Sequence, residues 1–280
     1  MTTLREVIAV LQEAYPPALA QPWDAVGLVC GDRREPVRKV LVCVDADEST
    51  VDEAIDGGAD LLLAHHPLLL RGVHGVPADE PKGALVHRMI RCGTAMFCAH
   101  TNADAADPGV SDALACAVGL QVTGLLDPGQ DGRTGIGRVG VLDTVITLAE
   151  FTDRVATSLP ATAWGVRAAG EADRPIRTVA VAGGAGDGYL DKARELGVDA
   201  FLTADLRHHP AAEHLARHRA PALIDVAHWA SEWPWCEQAA GILRAALDGT
   251  VEVLVSTRRT DPWTMHAIGA TTTPHGRAQG

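Results

Sequence analysis

Two apolar runs end in a histidine followed four positions later by a carboxylate: His100 with Asp104 in Met96-Phe-Cys-Ala-His-Thr-Asn-Ala-Asp, and His228 with Glu232 in Leu223-Ile-Asp-Val-Ala-His-Trp-Ala-Ser-Glu. Where a strand passes into a first helical turn, residues i and i+4 come onto one face, so a nitrogen and an oxygen donor converge. Both are metal ligands. A third run, Leu61-Leu-Leu-Ala-His65-His66-Pro67, stops at adjacent histidines. Neighbours in an extended chain point to opposite faces, so both rings serve one site only where the strand ends and turns. Pro67 favours that ending, because it cannot donate to a ladder and holds the preceding residue extended. In open α/β sheets the carboxyl ends of the strands are where sites assemble.

Each cluster alone has a plainer reading. His65 and His66 could simply close a strand end, and the tryptophans Trp229, Trp233 and Trp235 around Glu232 could be packing alone. Asp107 and Asp112 are best read as helix caps or turn residues. Thr101 and Asn102 would orient the site rather than bind metal. Taken together, His65, His66, Asp104, His228 and Glu232 at three strand ends favour a shared metal centre. A catalytic metal needs at least three protein ligands, so five donors serve two ions only if one carboxylate bridges them. Nitrogen and oxygen donors without thiolate suit Zn, Mn, Fe, Co or Ni. His208, His209, His214 and His218 fall in a polar helical stretch and are expected on the surface or at the cavity edge. Gly183-Gly-Ala-Gly-Asp-Gly188 lacks the Rossmann and Walker spacings and reads as a tight strand-to-helix turn.

The elements that must position these groups follow from periodicity. Residues 3–15 open with Thr3 and Glu6, a capping-box pair, and continue with helical apolar spacing up to Pro16. Residues 37–44 form a β-branched buried strand, 49–57 a glycine-ended helix, 60–64 a strand, 82–92 a helix, 94–99 a strand and 110–118 a helix. That alternation predicts parallel pairing. Residues 121–140 are rich in Gly and Asp and read as a link; a strand, a helix from Thr147 or Leu148 and a short strand near 163–168 follow.

The first half then repeats. Ile176-Arg-Thr-Val-Ala-Val-Ala echoes Val37-Arg-Lys-Val-Leu-Val-Cys, and 196–203 echoes 56–64. Four correspondences in the same order argue for an internal duplication. The predicted fold class is α/β, with two similar lobes of mainly parallel strands flanked by helices and the metal site in the cleft between them. Lobe one covers about 1–125, the connection 126–175 and lobe two 176–280, all within one domain.

Composition sets outer bounds. At 280 residues and 47% hydrophobic content the chain can bury a real core, and a net charge of −12 with no basic stripe argues against nucleic acid or an anionic membrane as partner. The N-terminus lacks a signal-type pattern and no stretch is long and apolar enough to span a bilayer, so a cytoplasmic location is expected. Six scattered cysteines without a Cys-x-x-Cys pair read as buried free thiols.

Gln21-Pro-Trp-Asp-Ala-Val-Gly-Leu, Ala64-His-His-Pro-Leu, His100-Thr-Asn-Ala-Asp104, Gly183-Gly-Ala-Gly186, Thr203-Ala-Asp-Leu-Arg-His-His209 and His228-Trp-Ala-Ser-Glu232 together resemble the type 2 GTP cyclohydrolase I homologues, or interacting-factor-three-like proteins, over nearly the whole chain. The resemblance implies two similar α/β lobes, a pair of divalent ions in the cleft and a ring-shaped hexamer. It assigns His66 and Asp104 to one ion, His65 and His228 to the other, Glu232 as the bridge and His100 as an acid or base. Ala25 stands where relatives commonly have Asn, Ala204-Asp205 where they have Gly-Glu or Gly-Asp, and no long insertion divides the halves.

The leading functional expectation is a metal-dependent hydrolase acting on a nucleotide-like or cyclic amide substrate, GTP ring opening being an analogy only. The alternative is a non-catalytic metal-handling or metal-delivery hexamer, and a third is an interaction module whose histidines are incidental. An enzyme for anionic nucleotides should bring Arg or Lys to the ions, and Arg71, Lys82, Arg88 and Arg207 are the candidates.

Overall fold

Two mixed sheets face each other across a layer of helices in the computed structural model, which describes residues 1–267. The first part of the chain runs α1 (Leu4–Ala14), β1 (Gly27–Cys30), β2 (Lys39–Cys43), α2 (Glu48–Asp56), β3 (Leu61–Ala64), α3 (Pro81–Cys92), β4 (Ala95–Cys98), α4 (Thr101–Ala105) and α5 (Val110–Ala117). The second part runs β5 (Gln121–Pro128), β6 (Gly135–Thr147), α6 (Leu148–Ser158), β7 (Val166–Ala169), β8 (Pro175–Ala185), α7 (Leu190–Leu196), β9 (Ala200–Ala204), α8 (His208–Leu215), β10 (Ala222–Val226), α9 (His228–Ala246) and β11 (Glu252–Val255).

Local chemistry sets these boundaries. Glu6 Oε2 accepts from both the Thr3 backbone N–H and the Thr3 hydroxyl at 2.7 Å, closing the capping box of α1. Asp47 Oδ1 caps α2 by accepting from the Thr50 N–H at 2.9 Å, and Thr147 and Glu150 do the same for α6. Gly93 ends α3 at φ +74°, a conformation that costs glycine nothing.

The first sheet has the order β1-β4-β3-β2-β11 and the second β5-β6-β8-β9-β10-β7. Each contains a parallel trio made by two crossovers, β2-β3-β4 in one and β8-β9-β10 in the other. These trios are the two similar halves expected from the repeat, and their strands read as unbroken apolar runs because both faces are covered. Leu61, Leu62 and Leu63 of β3 are all fully buried. α9 lies between the sheets and packs against α5 and β8 on one side and β2 and β11 on the other. Its small residues Ala239 and Ala240 are fully buried there, beside Trp235 and Leu243.

The borders differ from the sequence expectation. Residues 121–140, read as a link, carry β5 and the start of β6, whereas the strand, the helix from Leu148 and the short strand expected after them are present as the rest of β6, α6 and β7. Glycines at 135, 137 and 140 and a bulge between Val141 and Ile146 obscure the period-two pattern there. The expected second lobe also gives back its end, because β11 pairs in parallel with β2 in the first sheet. Residues 268–280 of that lobe lie outside the described residues. Of the six cysteines only Cys43, Cys98 and Cys236 are buried; Cys92 and Cys116, in the last turns of α3 and α5, are exposed.

One ion pair ties the halves. Arg138 of β6, 2% exposed, donates from Nε to Asp112 Oδ1 of α5 at 2.8 Å and from Nη1 to the Gly135 and Gly137 carbonyls. Asp112 also accepts from the Gly109 N–H at 2.7 Å, so the expected cap is present with a second duty. Asp112→Ala leaves the buried guanidinium without its counter-charge and should cost about 3–5 kcal/mol, read as a drop in the urea unfolding free energy with an unchanged slope.

Candidate metal centre

Three of the strand ends that face the helical layer carry the predicted ligands. β3 ends at His65 and His66, β4 at His100 with Asp104 one turn into α4, and β10 gives way to α9, whose first residue is His228 and whose next turn brings Glu232. The backbone N–H groups of His65 and His66 still bond to the Cys43 and Val44 carbonyls of the neighbouring strand, which fixes the strand end rigidly.

Glu232 is at the middle. Its Oε2 lies 3.0 Å from His66 Nε2, and its Oε1 lies 3.1 Å from His228 Nε2 and 3.5 Å from His65 Nε2. His65 Nε2 is 3.6 Å from Asp104 Oδ1. The donor atoms of His66, His228 and Glu232 lie within 4.8 Å of one another, as do those of His65, His66 and His100. The structure thus brings the five groups named from the sequence together around Glu232, with Oε1 between His65 and His228 and Oε2 at His66. Which histidine meets which carboxylate follows from how the strand end turns into the cleft.

Every imidazole is held through Nδ1. His65 Nδ1 meets the Ala99 carbonyl at 2.8 Å, His66 Nδ1 meets Asp45 Oδ1 at 2.7 Å, His100 Nδ1 meets Asp24 Oδ1 at 2.8 Å and His228 Nδ1 meets Asp205 Oδ2 at 2.7 Å. An acceptor at each Nδ1 keeps the proton there and turns each Nε2 lone pair into the cleft, the usual arrangement behind metal-binding histidines. Asp24 is itself fixed by the Thr101 hydroxyl and N–H, and Asn102 ties the same turn to the Tyr15 carbonyl at 2.7 Å. Asp205 adopts φ +57°, a left-handed conformation that aspartate tolerates, to reach His228.

Asp24, Asp45 and Asp205 were not singled out from sequence as histidine partners. Asp45 carried a usable signal, because it closes the apolar run next to the one ending in His65 and His66. The Gly183-Gly184 stretch proves to be more than a turn. Gly184 has φ +72°, and a Cβ there would sit 2.6 Å from Glu232 Oε1 and 3.3 Å from His228 Nε2, so the bare backbone forms one wall of the site. The other histidines stay apart: His208, His209 and His218 are exposed, and His214 is buried with Nε2 3.1 Å from the Pro221 carbonyl. The expectation that this cluster is solvated therefore fails at His214.

The electrostatics are those of a compressed mixed-charge cluster. Burial works against a charge on His66, but the Glu232 and Asp45 carboxylates together lift its pKa to about 10; for His228 Glu232 is the main cause of the rise. Burial would raise Glu232, yet His66, His228 and His65 hold it well below the ordinary carboxylate range. Burial pushes Asp104 up to about 6. His100 moves down, through burial and then the neighbouring His65, which keeps it neutral.

These residues fit divalent metal. His65 Nε2 and Glu232 Oε2 are buried and make no hydrogen bond, a costly state unless another partner is provided. Two donors bound at about 2.0–2.1 Å around a tetrahedral ion stand roughly 3.4 Å apart. The spacings of 3.0 to 3.6 Å around Glu232 bracket that value.

A pair of facing sheets with a histidine and carboxylate cluster at their strand ends defines an α/β protein with groups that could hold a metal ion. The family model described as Duf34/NIF3 (NGG1p interacting factor 3) matches residues 2–262, and the chain belongs to that family. A Streptomyces coelicolor protein named GTP cyclohydrolase 1 type 2 homolog is 51% identical over 278 residues, covering 97% of each chain. Among solved structures, a Bacillus cereus protein related to NIF3 superposes with a TM-score of 0.87 at 25% identity, covering 95% of this chain and 99% of that one. A Staphylococcus aureus protein gives 0.85 at 26%, with the same coverage.

Gly184→Ala should displace Glu232 and His228 and remove most bound metal, measured by mass spectrometry of the purified protein. Gly188→Ala, whose Cβ would meet nothing within 4 Å, should leave the metal content unchanged.

Proposed function

We propose that the chain is a dinuclear metal-dependent hydrolase acting on a carbon–nitrogen bond of a cyclic amide or nucleotide-like substrate. The observation that carries this reading is the division of Glu232: Oε1 faces His65 and His228 while Oε2 faces His66, so one buried carboxylate can serve two ions. In this reading His65 and His228 would hold one ion, His66 and Asp104 the other, and Glu232 would serve both. Bound divalent ions lower the pKa of water towards neutrality and polarise the bond under attack.

The remaining work belongs to the chain. His100 is not needed as a ligand, and with Nδ1 committed to Asp24 it offers Nε2 beside the centre. A neutral imidazole there takes a proton from the attacking water and returns it to the leaving nitrogen. Asp24, Asp45 and Asp205 hold their histidines in one tautomer, and the Gly183-Gly184 backbone leaves room for a substrate.

Basic groups give little help to a phosphorylated substrate. Arg71, Lys82, Arg88 and Arg207 line neither cavity that opens on the centre, and Arg207 is paired with Asp187. This scarcity is also what a metal-handling protein would show, and it keeps that second reading in view. No helix among the described residues is long and apolar enough to cross a membrane. The exposed edge strand β5 offers a surface for the hexamer that the family resemblance implies.

Untagged wild type should carry two divalent ions per chain, Glu232→Gln should lose at least one, and His100→Asn should keep both while turnover of cyclic amides falls about 10²- to 10⁴-fold. Metal retained by wild type with no turnover across cyclic amides and nucleotides would favour the metal-handling reading. Wild type that neither carries nor takes up divalent metal would refute both.

A further inference from the structure

Beyond the centre, on the side of His66 and His228, a cavity of about 580 Å³ opens between the end of β10 and the segment that follows β11. Its chemistry is unlike that of the opposite mouth, where His100, Trp23 and the Gly183-Gly184 backbone lie. One wall is a fixed aromatic surface. Asp225, 4% exposed, accepts from Trp164 Nε1 at 3.3 Å, from Arg167 Nε at 2.6 Å and from the Leu206 N–H at 3.0 Å. Arg167 lies over the Trp164 ring at 4.4 Å, so its charge is already shared between an indole and a carboxylate. Trp263, 61% exposed, stands 6.5 Å from Trp164 on the same cavity.

The polar lining is mixed. Asp45, Asp205 and Asp261 face this cavity together with His66, His228 and the committed Arg167. Asp45 and Asp205 are engaged with His66 and His228, and the Thr260 hydroxyl donates to the second oxygen of Asp45. Asp261 is different. It is 6% exposed and its Oδ2 is buried with no hydrogen-bond partner, an acceptor that no described residue satisfies. Burial raises its pKa, as expected for a carboxyl waiting for a donor.

We propose that this cavity is a recognition pocket for the flat end of the substrate, and that it takes a planar nitrogen heterocycle, neutral or cationic, whose N–H edge meets Asp261 while its face lies against Trp263 and Trp164. Indole faces supply dispersion and attract a cationic ring. An unpaired buried acceptor rewards an N–H donor and repels a carboxylate or phosphate. The inference rests on the hydrolase reading and narrows it: the ring recognised here is not itself phosphorylated, and the bond to be broken lies towards His66 and His228.

The test uses the full chain and two probes that share one ring system, 2-aminobenzimidazole with an amidine-type edge and benzimidazole-5-carboxylate with an anionic one. Calorimetry on wild type should show the amino compound binding at least tenfold more tightly than the carboxylate. Trp263→Ala and Asp261→Asn should each weaken the amino compound about tenfold while keeping wild-type metal content and unfolding midpoint. Trp263 is largely exposed, so its variant remains informative if Asp261→Asn fails to fold. Binding of the amino compound should persist after dialysis against a chelator. Equal or tighter binding of the carboxylate, unchanged affinity in Trp263→Ala, or loss of binding on metal removal would each overturn the pocket. Those results leave the metal reading standing, whereas wild type without metal but with intact ring selectivity would fail the hydrolase reading alone.

Discussion

A carboxylate that is 3% exposed and kept ionised is the constraint around which this molecule is organised. An ionised group taken out of water loses several kcal/mol of solvation, recovered only when counter-charges with good geometry surround it. Glu232 meets that condition through three imidazole nitrogens between 3.0 and 3.5 Å away, delivered by elements of both sheets. Its own helix brings one of them, because His228 lies a turn earlier on α9. The other two come from the end of β3, and the first turn of α9 can lie against the end of β8 only because Gly183 and Gly184 present no side chain to it.

A second layer of charge makes the first usable. Asp24, Asp45 and Asp205 stand behind His100, His66 and His228, and the Ala99 carbonyl stands behind His65. Each holds a proton on Nδ1 and leaves Nε2 free, so four imidazoles face one volume in one tautomer. The layer is drawn from different parts of the chain, and the long-range ties Asn102 to Tyr15 and Arg138 to Asp112 hold those parts in register. Without cations, His66 and His228 balance Glu232 by taking up protons. Divalent ions would take the place of those protons, which is why metal uptake and proton release at such a site are linked.

The converging groups were legible in the sequence because their positions follow rules of local geometry. A histidine at a strand end and a carboxylate one helical turn later meet directly in His228 and Glu232, while Asp104 meets His65 of the neighbouring strand end, and the β-α-β-α-β pattern is written in unbroken apolar runs. Three features needed information beyond local spacing. That His65 and His228 face one oxygen of Glu232 and His66 the other depends on the direction in which the strand end turns into the cleft. Asp45 reaches His66 because β2 and β3 are neighbours, which sheet order decides. Residues 121–140 concealed their strands because glycines replace the alternating side chains and a bulge breaks the register of β6 just beyond. The short strand β11 was hidden for another reason, since it joins a sheet whose other strands lie in the first hundred residues.

The centre opens to two cavities of opposite character, and His228 lines both. On the His100 side, glycine backbone and a neutral imidazole leave space and a proton carrier. On the other side, the Trp164 indole held by Asp225 and the exposed Trp263 form an aromatic wall with Asp261 on the same cavity. A molecule reaching across both mouths would pass His228, which places the bond between its ends beside the metal-ligating groups. Affinity would then come from the aromatic wall and chemistry from the other side. This separation would let a chain with few available cations near its site be selective, because the unpaired acceptor of Asp261 favours an N–H donor over an anion in the outer pocket.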